Sequence, residues 1–203
     1  MGTYRKEVFR KSLHLLCIAG VTAWFYSLQD WKQSVIVTLA VLVVIFPVLF
    51  ILSKVPGLTG FFNARKPGEY AMSCAALMIT YAIVASVCWG YFGHRILGVA
   101  CFLAWGPGDA AAALVGKKYG RHKAGKNKVK SLEGSGAMLV CSFISVFLVL
   151  YFSKFYSIPL TILISFLTAL ATTIAELLDY KGDDTAFCPL TAMVVLSLFQ
   201  LMI

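Results

Sequence analysis

The stretch SVIVTLAVLVVIFPVLFIL, residues 34–52, runs without a single charged side chain. A hydrocarbon core is crossed by about 20 apolar residues wound as a helix. Inside lipid the backbone has no water to bond, so only helices and closed barrels span it. This block is too long and too continuously apolar for a barrel strand of alternating pattern. Six further blocks read the same way, at about 12–28, 71–90, 96–115, 134–153, 158–178 and 186–203. The reading predicts an all-α fold, a polytopic membrane helical bundle of about seven transmembrane helices. Composition agrees: 60% of the 203 residues are hydrophobic and 13% charged, with a mean hydropathy of +0.82, where a soluble domain carries about 25% charge. The longest polar stretches, about 53–70 and 116–133, leave no soluble domain over, so residues 1–203 form one integral membrane domain. Six scattered cysteines show no CxxC or Cys/His metal spacing and read as small buried thiols. Cations at Arg5, Lys6, Arg10 and Lys11 precede the first block like a signal peptide, but no small-residue cleavage site follows and the block is read as retained.

Loop charges orient the bundle. With seven spans, one side takes the N-terminus and the loops 53–70, 116–133 and 179–185, holding fifteen cations; the other side holds Lys32, Arg95 and Lys154. Short loops rich in Lys and Arg stay in the cytoplasm, which puts the N-terminus there, in a bacterial inner membrane or an endomembrane. Acids hardly influence orientation, yet eight of nine, all but Asp30, fall on or near the cation-rich side. Cations and acids gathered at one face read as a site.

Four segments carry the chemistry. Trp105-Gly106-Pro107-Gly108-Asp109 is expected to break the fourth span, placing an acid at membrane depth, where it is costly and signals function. After the basic loop, Lys130-Ser131-Leu132-Glu133-Gly134-Ser135 opens the fifth span. Hydroxyls, glycine and free N–H groups at a helix start make an anion site, to which Lys130 adds a charge. Glu133 beside phosphate would be repelled unless a divalent cation bridges them, and oxygen ligands with phosphate suit Mg²⁺. Glu176 and Asp179 share a helix face, and Asp183 and Asp184 precede the last span, where capping accounts for one acid but not four. Arg10, Lys11 and His14 share a face of the first helix, and Arg65 and Glu69 flank the start of the third. Residues 120–127 nearly spell a Walker A loop, but Asn127 stands where Ser or Thr belongs and no strand precedes it. The match is fortuitous.

Together these residues resemble the CTP-dependent lipid kinases: the dolichol and polyprenol kinases, the phytol and farnesol kinases, and the fungal-type diacylglycerol kinase, distantly similar to phosphatidate cytidylyltransferases. Gly108, Asp109, Ala112, Gly116 and Gly120 match one central motif of that family, and Lys130, Ser131, Glu133, Gly134 and Ser135 the other. Weaker matches are Arg10, Lys11 and His14, Arg65 and Glu69, and Glu176 with Asp184, where Thr185 replaces the usual Asn. The resemblance runs from about residue 10 to 191. It implies transfer of the γ-phosphate of CTP to the hydroxyl of a membrane lipid alcohol, at the cytoplasmic face of the bilayer. Asp109, Glu133 and Lys130 would be catalytic; Asp109, Glu133 and Asp184 would hold Mg²⁺. Gly108, Gly116, Lys117, Gly120, Ser131, Gly134 and Ser135 would hold phosphates, with Asp109 alternatively the base for the alcohol. Partners are then CTP, the lipid alcohol and the bilayer, and no nucleic acid; the oligomeric state, a homo-oligomer included, stays open. A cytidylyltransferase on a phospholipid precursor is the first alternative. A small transporter is the second, disfavoured because no internal repeat appears and the acids sit at one face instead of midway.

Overall fold

The structure, a computed structural model, describes residues 3–53, 68–125, 130–179 and 184–202. Among the described residues seven helices are long and apolar enough to cross a membrane, the third when its π-helical continuation to Tyr91 is included: α1 Thr3–Ser27, α2 Trp31–Leu52, α3 Glu69–Val84, α4 Arg95–Tyr119, α5 Leu132–Ser153, α6 Ile158–Leu178 and α7 Asp184–Met202. A π-helical stretch, Ala85–Tyr91, continues α3. Local sequence sets the ends. Asp30 caps α2, its carboxylate accepting from the Gln33 N–H at 3.3 Å, and Ser131 caps α5 by accepting from the Gly134 N–H at 3.1 Å. Gly68, Gly93 and Lys154 turn the chain with left-handed backbone (φ +79°, +76° and +53°).

Helix α4 is the axis. Of its apolar window 67% is buried, against 6% for α2, and it packs on α1, α5, α6 and α7, most extensively on α5. Helix α2 leans on α3 and turns Val43, Val44 and Ile51 outward, as a lipid-facing helix does. Small residues permit the α4–α5 contact, since helices in lipid associate by close packing instead of by water exclusion. A Cβ at Gly108 would lie 2.2 Å from the Ser142 hydroxyl and 3.0 Å from Met138 Cγ.

Three sequence expectations are corrected. Gly106-Pro107-Gly108 does not break the helix: α4 is continuous through Pro107. The Ser142 hydroxyl of α5 donates to the Ala104 carbonyl at 2.5 Å, one of the ways a neighbouring helix serves a proline-disturbed turn. The charged N-terminal segment is not a tail before a span starting near 12, because α1 already begins at Thr3 and carries Arg5 to Lys11. The 116–133 connection is not all loop. Helix α4 runs on to Tyr119, and β1 (Lys123–Ala124) pairs antiparallel with β2 (Lys130–Ser131), a hairpin of two-residue strands.

Candidate functional site

The start of α1, the ends of α2, α4 and α6, the starts of α3, α5 and α7, and the hairpin all meet at one end of the bundle. Between them lies a cavity of about 1040 Å³. Of the residues the sequence singled out, Arg10, Lys11, His14, Glu69, Asp109, Gly116, Lys117, Gly120, Lys130, Ser131, Gly134, Ser135, Glu176 and Asp184 line it. Gly108 does not; it faces Ser142 and Met138 of α5. Arg65 and Asp183 lie outside the described residues.

Ion pairs on three carboxylates dominate the interior. The Lys11 ammonium bonds the Asp109 carboxylate, and His14 Nε2 stands 3.5 Å from the same oxygen, Oδ2. Asp109 is 6% exposed and Lys11 8%. One turn towards the rim, Lys117 pairs with Glu7 at 3.0 Å, and Arg10 reaches the same Glu7 oxygen at 3.5 Å. On the opposite wall Lys130 pairs with Glu176 Oε1 at 2.8 Å and also bonds the Glu176 carbonyl. Asp184, opening α7, lies within electrostatic reach of Asp109, Asp179, Lys11 and Lys130. Charges are buried only where partners compensate them, and here Lys11, Lys117, Arg10 and Lys130 are each stored beside an anion.

Several buried polar atoms on this wall have no hydrogen-bond partner among the described residues: Ser135 Oγ, Glu176 Oε2 and the Trp105 indole N–H. Such atoms are costly when left alone and mark places where a polar ligand fits. The glycines bring the walls together. A Cβ at Gly134 would meet the Ala112 carbonyl at 2.8 Å and Gly116 Cα at 3.2 Å, so α4 ends directly against the first turn of α5.

Glu133 stands apart. It does not line the cavity; its Oε1 sits 2.8 Å from His122 Nδ1, and both oxygens accept from the His122 backbone N–H at 3.2 and 3.3 Å. Here it braces the hairpin that carries Lys130. Among the described residues no three His, Cys, Asp or Glu side chains are preassembled as a metal site. Mg²⁺ needs none when it arrives on a nucleotide, since it commonly takes one or two protein carboxylates plus phosphates and waters. Asp109 and Asp184 face one cavity and fit that requirement once Lys11 leaves Asp109; Glu133 would likewise have to leave His122.

Sequence reasoning missed Glu7 and Trp105 as site residues. Glu7 is three and four residues before Arg10 and Lys11, on the face already noticed, and placing the span start near 12 hid it. Trp105 meets His14 edge-on, ring centroids 4.5 Å apart, a contact between α1 and α4 that no local pattern announces. Asp30, the one acid opposite, is the α2 cap. No protein-family model, curated protein or solved structure matches the chain.

Proposed function

We propose that the chain is a membrane-embedded lipid kinase that transfers the γ-phosphate of CTP to the hydroxyl of a lipid alcohol at the cytoplasmic face. One observation carries the reading. A single cavity at one end of a membrane bundle joins a cation-rich rim and buried carboxylates to apolar walls from Leu13, Leu49 and Leu77. It can therefore admit a charged nucleotide from water and a greasy acceptor from the bilayer. The orientation is supported by the fifteen-to-three division of cations, with the cavity on the rich side.

Phosphoryl transfer asks little covalent work of a protein; it asks for positioning and for charge to be neutralised as it develops. The stored ion pairs suit that demand. A triphosphate would draw Lys11 and Lys130 away from Asp109 and Glu176, and Lys117, Arg10 and Lys123 would hold its outer oxygens. Ser131, Ser135 and the first turn of α5 add hydroxyls and the positive end of a helix. Asp109 and Asp184 would hold Mg²⁺, with Glu133 the further ligand that the resemblance implies. The ion would supply neutralisation of the phosphate oxygens. In the transfer the acceptor oxygen bonds the γ-phosphorus and the bond from that phosphorus to the bridging β-oxygen breaks. CDP leaves, and the hydroxyl proton passes to a base; Asp109, freed from Lys11, would be that base if it does not hold the ion.

The second reading, a cytidylyltransferase, would use the same cavity but attack the α-phosphate. Incubating purified protein, Mg²⁺ and membrane alcohols (phytol, farnesol, a polyprenol, a diacylglycerol) with γ-labelled and, separately, α-labelled CTP divides the two. The kinase moves only the γ-label into lipid. Appearance of the α-label in lipid would replace it by the second reading.

A further inference from the structure

Resting on that reading, we propose that the acceptor enters sideways from the bilayer, through a cleft between α1 on one side and the α2–α3 pair on the other, with its hydrocarbon chain left lying in the cleft.

The packing is the first ground. Helix α1 is packed broadly against α4, whereas α2 packs on α3 and its π-helical continuation; among the described residues neither α2 nor α3 is extensively packed on α1. The two sides are joined at the end away from the cavity. There the Trp24 indole N–H donates to Thr38 Oγ1 at 2.8 Å, and the Phe25 and Tyr81 rings lie 4.6 Å apart. Between this junction and His14 run about 15 Å of helix, ten residues at about 1.5 Å each, with no hydrogen bond or ring contact from α1 to α2 or α3 among the described residues.

The lining is the second ground. Cys17 of α1, Leu52 of α2 and Ser73 of α3 line the cavity and are exposed, so the cavity is open beside them. Residues that do both mark an opening, and at helical depth in a membrane the opening faces acyl chains. Leu13, Leu49 and Leu77 continue the apolar lining inward. Cys17 of α1 and Cys74 of α3 both line the cavity, so a thiol stands on each side of the cleft. Along α1 the wall turns polar past Cys17, where His14 and Lys11 follow it and Asp109 faces them from α4. An apolar slot ending in a charged pocket fits a molecule built the same way, a long hydrocarbon chain with a terminal hydroxyl.

The test uses the whole protein in proteoliposomes. A long-chain alcohol bearing a photoreactive diazirine midway along its chain is incorporated and irradiated, and adducts are mapped by mass spectrometry. Adducts concentrated on residues 13–18 and 74–77, and displaced by unlabelled alcohol, are expected. Labelling as dense on the outward face of α5, at Val140, Ile144 and Leu148, would overturn the cleft. The mapping needs no turnover, so it judges the cleft even if the kinase reading fails. In parallel, a bulky thiol reagent reacting at Cys17 and Cys74 should lower phosphorylation of the long-chain alcohol at least tenfold while sparing a short water-soluble alcohol. The Cys17→Ser, Cys74→Ser double variant should show no reagent effect relative to its own untreated rate. Equal loss for both alcohols, or none for the long one, contradicts lateral entry. Failure to phosphorylate either alcohol before treatment would sink the kinase reading instead.

Discussion

Asp109 is where the chemistry and the folding of this protein meet. Its carboxylate is almost wholly buried and held by Lys11, with His14 beside it. Removing one member of a buried pair strands the other and costs about 3–5 kcal/mol, whereas replacing both by apolar groups is often tolerated. Lys11→Met alone should therefore destabilise the detergent-solubilised protein strongly, and Lys11→Met with Asp109→Leu should recover most of that loss, read as unfolding temperature, without recovering activity. For turnover, Asp109→Asn keeps shape but removes charge from a dry site, a change that commonly costs about 10²–10³ in rate. That drop is expected in lipid phosphorylation, with Asp30→Asn unchanged, because Asn caps α2 as well as Asp does. Near-normal turnover of Asp109→Asn would make the buried acid structural. Glu133→Gln is expected to fall by about the same factor. Full activity would show that bracing the hairpin through His122, which Gln can also do, is its whole task. Most of these residues were legible because an acid or a lysine inside an apolar block is conspicuous. Their pairing was not. That Lys11 meets Asp109 follows from α1 lying along α4, which no local spacing encodes.

At the scale of elements, the apolar blocks announced themselves while their ends did not. Hydropathy finds the part of a helix that lies in lipid, and α1 and α4 continue beyond it as polar helix. Pro107 misled for a different reason: a proline ends a helix in water, but in a bundle a neighbouring hydroxyl can serve the disturbed turn, as Ser142 does at Ala104. Two outcomes follow for the α4–α5 seam. Gly108→Ala should lower stability by about 1–3 kcal/mol, the usual cost of overpacking, because its methyl would collide with Ser142. Gly136→Ala, where a Cβ meets nothing within 4 Å, should leave stability unchanged or slightly raised. Thermal unfolding of the purified variants measures both, and equal tolerance of the two would mean that α4 and α5 are not so tightly opposed.

Among the described residues the molecule gathers most of its acids and their cationic partners at one end and exposed apolar residues along its flanks; the proposal that the charged end faces the cytoplasm rests on the cation count. Sequence can argue orientation because it depends on charge bias in short loops, a property additive over residues. The cavity itself, made by seven element ends converging, depends on packing and only the structure displays it. By resemblance CTP should support faster turnover than ATP; equal rates would remove the nucleotide preference and leave the kinase reading standing. The central claim, a phosphotransferase site opening to the cytoplasm, is tested most directly by sidedness. Membrane vesicles of known orientation, loaded with the acceptor alcohol, are given membrane-impermeant γ-labelled CTP and Mg²⁺ from outside. Labelled lipid phosphate should form in inside-out vesicles and only at background level in right-side-out ones. Labelling confined to right-side-out vesicles, or none in either orientation with every acceptor tried, would contradict the account.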